Sequence, residues 1–137
     1  MTYALDTNII IHLLSGTKTA RAKRDEAINR GDKIVIPKFV DYEIQRGLLC
    51  NLSHGKEKSY KKFCSIFSVC EMNDDTWKCG AEIYADLWNK RLTVSDADIL
   101  IAAFCMVNNY TLVTDNTKHF EVIDGLDFVN WIAPEQN

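Results

Sequence analysis

The sequence lacks the marks of most easily recognised chemistries. It holds no Gly-x-x-x-x-Gly-Lys-[Ser/Thr] loop, no Gly-x-Ser-x-Gly elbow and no His-Glu-x-x-His pair. P-loop, α/β-hydrolase and zincin chemistry are thereby excluded. The five cysteines (Cys50, Cys64, Cys70, Cys79 and Cys105) form no Cys-x-x-Cys pair. Their odd number and spacing fit no zinc pattern, so we expect buried, reduced thiols. The histidines at 12, 54 and 119 share no partner spacing, and no acid–base role is assigned to them. No apolar run approaches the roughly 20 residues that span a bilayer. Met1 leads straight into a strand-like segment without a basic leader, so a soluble, cytoplasmic protein is expected. Positive charge is not in excess either: the net charge of −3 excludes a globally basic nucleic-acid binder. Internal repeats and low-complexity segments are also missing.

What is present is 137 residues, 47% of them hydrophobic, enough for one domain with its own core. A single domain over residues 1–132 with a short tail at 133–137 is expected. Thr2–Leu5 reads as a buried strand and residues 8–15 as a helix capped by Thr7 or Asn8 and ended by Gly16. A polar helix follows over 18–30, stopped by Gly31. Lys33–Pro37 is a β-branched strand, 39–50 a helix, 51–55 a break and 56–66 a basic helix. Phe67–Glu71 reads as a strand, and Asn73 or Asp74 caps a helix to about Lys90. Ser95 opens another helix to about Asn108. Thr111–Thr114 and Asp127–Trp131 are the last strands. Strands alternating with helices predict an α/β fold with a parallel sheet covered on both faces.

In such a sheet, sites form beyond the carboxyl ends of the strands. Asp6 ends the first strand and Asp115 follows the Thr111–Thr114 strand. Glu43 lies one turn into the helix after the second strand, and Asp96 and Asp98 lie in the first turn after Ser95. Asp6 is a charge between two apolar runs, which requires a partner. Asp98 also fits a capping pattern with Ser95, and acids suit a first helical turn. Asp96 and Asp98 point about 200° apart on a helix, so they do not enter one pocket equally. Carboxylates gathered at one edge repel one another unless some protonate or a hard cation such as Mg²⁺ or Mn²⁺ binds. Such a cation activates water and neutralises charge on a scissile phosphate.

Four stretches occur in order: Leu5-Asp6-Thr7-Asn8, Glu43-Ile44-Gln45-Arg46-Gly47, Asp98-Ile99-Leu100-Ile101-Ala102-Ala103 and Thr111-Leu112-Val113-Thr114-Asp115-Asn116-Thr117-Lys118-His119-Phe120. Together the sequence resembles the PIN-domain ribonucleases and, within them, the toxin arm of VapBC toxin–antitoxin pairs, over about residues 2 to 131. The resemblance implies a three-layer PIN-like sandwich with a mostly parallel sheet and an Mg²⁺- or Mn²⁺-dependent endoribonuclease acting on tRNA or ribosomal RNA. It maps the family acids onto Asp6, Glu43 and Asp98, with Asp96 an auxiliary acid or a dipole partner. Where many PIN domains carry a fourth acid this sequence has Asn116, one residue after Asp115, so Asp115, Asn116 or a water fills that place. The resemblance also implies a cognate VapB-like antitoxin covering the acids, a homodimer and, through the antitoxin, an assembly on DNA.

RNA is repelled by acids, so cations must attract it. Residues 1–62 hold 12 Lys and Arg against 7 Asp and Glu, and residues 63–137 hold 4 against 12. The candidates are therefore in the first half: Lys18, Arg21, Lys23, Arg24, Lys38, Arg46, Lys56, Lys58, Lys61 and Lys62, with Tyr60 placed to stack on an unpaired base. Three rival readings stand beside this one. A phosphatase of the haloacid dehalogenase type needs Asp-x-Asp, and Asn8 occupies the second place. A PIN-like module that binds RNA without cutting it takes its support from Asn116. A PIN nuclease of RNA processing or DNA repair differs from a toxin in its biological setting.

Overall fold

In the computed structural model, residues 1–133 are described. Seven helices and five strands occur among them. The first strand, β1 (Thr2–Leu5), is an apolar run whose last three residues are buried. Helix α1 (Thr7–Ser15) follows without a linker and ends where Gly16 turns left-handed at φ 89°, a conformation that a Cβ would strain. After it come α2 (Lys18–Asn29), β2 (Lys33–Pro37), α3 (Lys38–Cys50), α4 (His54–Ile66) and β3 (Ser68–Cys70). The second half adds α5 (Asp74–Asn89), α6 (Asp96–Asn108), β4 (Thr111–Val113), the one-turn α7 (Thr117–Phe120) and β5 (Phe128–Val129). Of the tail expected at 133–137, Ala133 lies in a bend; the remainder is outside the described residues.

All four strand pairings are parallel, in the order β3-β2-β1-β4-β5. The chain steps outward from β1 to β2 and β3, then returns across β1 to build β4 and β5. Right-handed crossovers in the two directions place helices on opposite faces, as the alternation of elements predicts. The reversal falls between β1 and β4, the point where an open sheet leaves a crevice at its carboxyl edge. Asp6 and Asp115 stand at this point, and the Asp6 amide donates to the Val113 carbonyl at 2.9 Å.

Helix α6 is the most buried: Ile99, Ile101, Ala102, Ala103, Phe104 and Cys105 all lie in the core. Helix α5 packs along it with Gly80 at the contact, where an added Cβ would come 3.2 Å from Leu100 Cδ2. The expectation for the cysteines needs correction. All five are free, yet only Cys105 is buried and Cys50 is exposed. Among the described residues, no helix is long and apolar enough to cross a membrane.

Candidate functional site

Asp6 directly follows β1 and is the N-cap of α1; the expected caps, Thr7 and Asn8, are already helical. Its Oδ1 accepts from the Thr7 amide at 2.8 Å and its Oδ2 from Thr114 Oγ1 at 2.8 Å. The carboxyl is 7% exposed. Burial pushes its pKa up to about 6. The Thr114 and Thr7 hydrogen bonds act in the opposite direction, and the charges of Asp98 and Glu43 push it further up. Both of those acids are therefore close enough to act on Asp6. Glu43 reaches the same corner from α3, its Oε1 accepting from Thr7 Oγ1 at 2.9 Å.

Asp98 belongs to the first turn of α6, where Ser95 Oγ accepts from the Asp98 amide at 3.2 Å. Its Oδ2 lies 3.0 Å from His119 Nδ1. Asp96, one residue into that turn, is exposed. Asp115 sits beside α1, with Oδ2 3.7 Å from His12 Nε2 and Oδ1 buried without a hydrogen-bond partner. Asn116 bonds through its amide to Thr114 Oγ1 at 3.0 Å, and its side chain lies 2.8 Å from His119 Nδ1.

Sequence reasoning missed four members of this site. Thr7 and Thr114 donate to the acids, and His119 and His12 each face a carboxylate. The two threonines lie inside the quoted stretches, as does His119. The histidine contacts leave no trace in spacing, because each partner comes from a different element.

Thr7 and Glu43 also line a cleft of about 560 Å³ between α1, α3 and α4. Ile11, Leu14, Ile44 and Leu48 give it an apolar wall, and Lys56 also lines it. An added Cβ at Gly47 would meet nothing within 4 Å, so the glycine leaves that wall low.

The cation candidates divide. Arg21 Nε donates to the Leu13 carbonyl at 3.1 Å and so serves the end of α1. Arg24 pairs with Asp25, Lys23 with Glu26, and Lys38 with Asp41 and Glu71. Arg46 lies over the Tyr42 ring at 5.2 Å and 3.6 Å from Glu43. Lys18, Lys58, Lys61 and Lys62 are exposed. Tyr60 is a correction: it is 1% exposed, stacks on Phe63 and donates to Asp41 at 2.7 Å. No unpaired base stacks on it.

The PIN-domain profile matches residues 3–126. Ribonuclease VapC2 of Rickettsia felis is 32% identical over 134 residues, 96% of this chain and 98% of that protein. The chain belongs to the PIN-domain family, in its VapC ribonuclease branch. The crystal structure of Rickettsia felis VapBC2 bound to a promoter DNA fragment contains a chain that superposes with a TM-score of 0.87 at 26% identity, covering 96% of this chain and 99% of that one. VapBC-1 of Haemophilus influenzae gives the same TM-score at 23% identity, covering 97% and 100%, and shares the fold.

Whether a divalent cation fits this PIN domain is a question for its donors. Among the described residues, no three His, Cys, Asp or Glu side chains stand close enough to cage an ion unaided. Mg²⁺ and Mn²⁺ do not require a full cage, since they keep waters and take one or two carboxylates. The donors here are all hard oxygens. Asp6 is held toward its protonated form by burial first and by neighbouring negative charge after it, and Asp115 Oδ1 is a buried acceptor with nothing to accept. Both features are relieved by a cation.

Proposed function

We propose that this VapC-family ribonuclease is a toxin that cuts tRNA or ribosomal RNA with a bound Mg²⁺ or Mn²⁺ and is silenced by a VapB-like antitoxin. The observation that supports it most is the buried Asp6 carboxyl at the sheet's reversal point, pushed up to about 6 with Glu43 and Asp98 as its charged neighbours. Asp6, Glu43 and Asp98 would hold the cation, and Asp115, through Oδ1, would complete the site. When bound, the ion would supply activation of water and neutralisation of charge at the scissile phosphate. The chain's own part is orientation. Thr114 and Thr7 fix both oxygens of Asp6, Thr7 also fixes Glu43, and burial excludes competing solvent from Asp6. Exposed Lys58, Lys61 and Lys62 on α4 attract the RNA backbone.

The relatives solved as VapBC complexes support an antitoxin partner. The apolar cleft that opens beside Thr7 and Glu43 fits an apolar segment of such a partner, which would then cover the acids. A homodimer belongs to the same reading. Trp77, Tyr84 and Trp88 expose one aromatic side of α5, the kind of patch that subunit contacts bury.

The test is induction of the wild type and of Asp6→Asn in cells, with transcriptome-wide mapping of new RNA 5′ ends. New ends are expected with the wild type alone. Identical maps overturn the ribonuclease reading for this site.

A further inference from the structure

We propose that His119 is a positioning residue that holds Asp98 in its cation-binding orientation, with Asn116 as the third member of the same brace; this rests on the metal-dependent reading above. The geometry begins with α6. Ser95 caps the Asp98 amide and so fixes the backbone of that turn, but it leaves the carboxylate free to rotate. The group that reaches the carboxylate is His119, whose Nδ1 lies 3.0 Å from Asp98 Oδ2. His119 is carried on α7, a single turn anchored by the fully buried Phe120 beside it. A side chain on a turn held this way can serve as a fixed stop for a residue on another element.

The same ring nitrogen lies 2.8 Å from the Asn116 side-chain nitrogen. One nitrogen cannot donate to a carboxylate and accept from an amide at once. Beside an ionised Asp98, the ring carries its proton on Nδ1 and donates it to Oδ2. The Asn116 side chain meets the same nitrogen and, with its oxygen turned to the ring, the two ends of an amide being alike in shape, shares that one proton as a second acceptor. The result is a cluster of three side chains in which Asn116 and Asp98 both meet His119 Nδ1.

Two consequences follow. Asn116 is committed to the brace and does not fill the fourth cation position; Asp115, with its unpartnered Oδ1, does. A neutral amide suits position 116, since a carboxylate there would accept the shared proton more strongly and repel Asp98. Groups that orient a metal ligand without touching the metal typically matter 10- to 100-fold in affinity.

The test uses the full chain, with His119→Ala, His119→Asn and Asn116→Ala. Mn²⁺ affinity of the metal-free proteins is measured by calorimetry. RNA cleavage is measured as kcat and KM over a range of Mn²⁺. His119→Ala is expected to weaken Mn²⁺ binding by about 10- to 100-fold while raising added Mn²⁺ restores kcat and leaves the KM for RNA unchanged. His119→Asn, which keeps a donor near the place of Nδ1, should recover most of the affinity. Asn116→Ala should weaken it by less than His119→Ala. The His119 side chain is 57% exposed, so melting temperatures of the variants should stay near that of the wild type. Unchanged Mn²⁺ affinity in His119→Ala overturns the proposal, and so does a kcat deficit that persists at saturating Mn²⁺. A wild type that binds Mn²⁺ without cutting RNA overturns the ribonuclease reading alone. A wild type that binds no Mn²⁺ overturns both.

Discussion

At the scale of single residues, Asp6 carries opposing demands. Its two hydrogen bonds favour the carboxylate, but burial and the charges of Asp98 and Glu43 favour the acid, and the balance lies at about 6 against 3.8 for a free side chain. A folded-state value above the unfolded one means stability that is fully present below about 3.8 and lost as pH rises through about 6. The span of roughly two units corresponds to about 3 kcal/mol at most. Urea melts of the metal-free protein should therefore show the wild type losing up to about 3 kcal/mol relative to Asp6→Asn between about pH 4 and about pH 7.5. Saturating Mn²⁺ should remove most of that loss, because it binds the ionised form. Parallel pH profiles for the two metal-free proteins would show that Asp6 is not strained by burial.

At the scale of elements, helix ends decide where the acids point. Ser95 accepts from the Asp98 amide at 3.2 Å, so the cap both closes α6 and sets the turn bearing the third acid. Ser95→Ala should cost about 1 kcal/mol of stability. It should also weaken Mn²⁺ binding more than an equally destabilising change far from the acids, such as one at the exposed end of α2. Equal Mn²⁺ affinity in the two would separate the cap from the site. The caps at Asn73 and Ser95 and the left-handed exits at Gly16 and Gly31 (φ 89° and 83°) are legible in the sequence, because each is a local device. The β-branched run Lys33–Pro37 and the buried Thr2–Leu5 are legible for the same reason. Asp6 could be read as a cap of α1, but Thr7 and Asn8 competed for that place, since one carboxylate both follows a strand and starts a helix. The single turn α7 is too short to leave a periodicity, and His119 was missed along with it. Tyr60 belongs to an apolar stripe with Phe63 on α4 and Phe67 at its C-cap, hidden in the sequence by Lys61 and Lys62. Strand order depends on crossovers, so the meeting of Asp6, Glu43 and Asp98 at one edge is inferred from segments far apart in the chain.

At the scale of the whole molecule, a chain of net charge −3 must attract a polyanion to an acidic crevice. Half of its first-half cations (Arg21, Lys23, Arg24, Arg30, Lys38 and Arg46) are paired with neighbouring acids or with backbone, which leaves the exposed lysines of α4 as the strongest source of attraction. The cleft between α1, α3 and α4 offers something different, an apolar wall of Ile11, Leu14, Ile44 and Leu48. RNA has little use for such a wall, whereas an apolar protein segment has. The two surfaces are distinct and should be separable by substitution. Replacing Lys58, Lys61 and Lys62 together by Glu should raise the KM for RNA and leave kcat nearly unchanged. Each phosphate contact contributes roughly 0.7 to the salt exponent on a single strand, so losing three should flatten the plot of log affinity against log salt by about 2. Ile11→Glu places a charge on the apolar wall at a side chain that is 52% exposed, so the fold should tolerate it. That variant should bind the antitoxin at least 10-fold more weakly, the loss expected when a carboxylate is buried without a partner, while cutting RNA as the wild type does. If Ile11→Glu instead impaired cleavage and spared antitoxin binding, the cleft would belong to RNA, and the assignment of the two surfaces would have to be reversed.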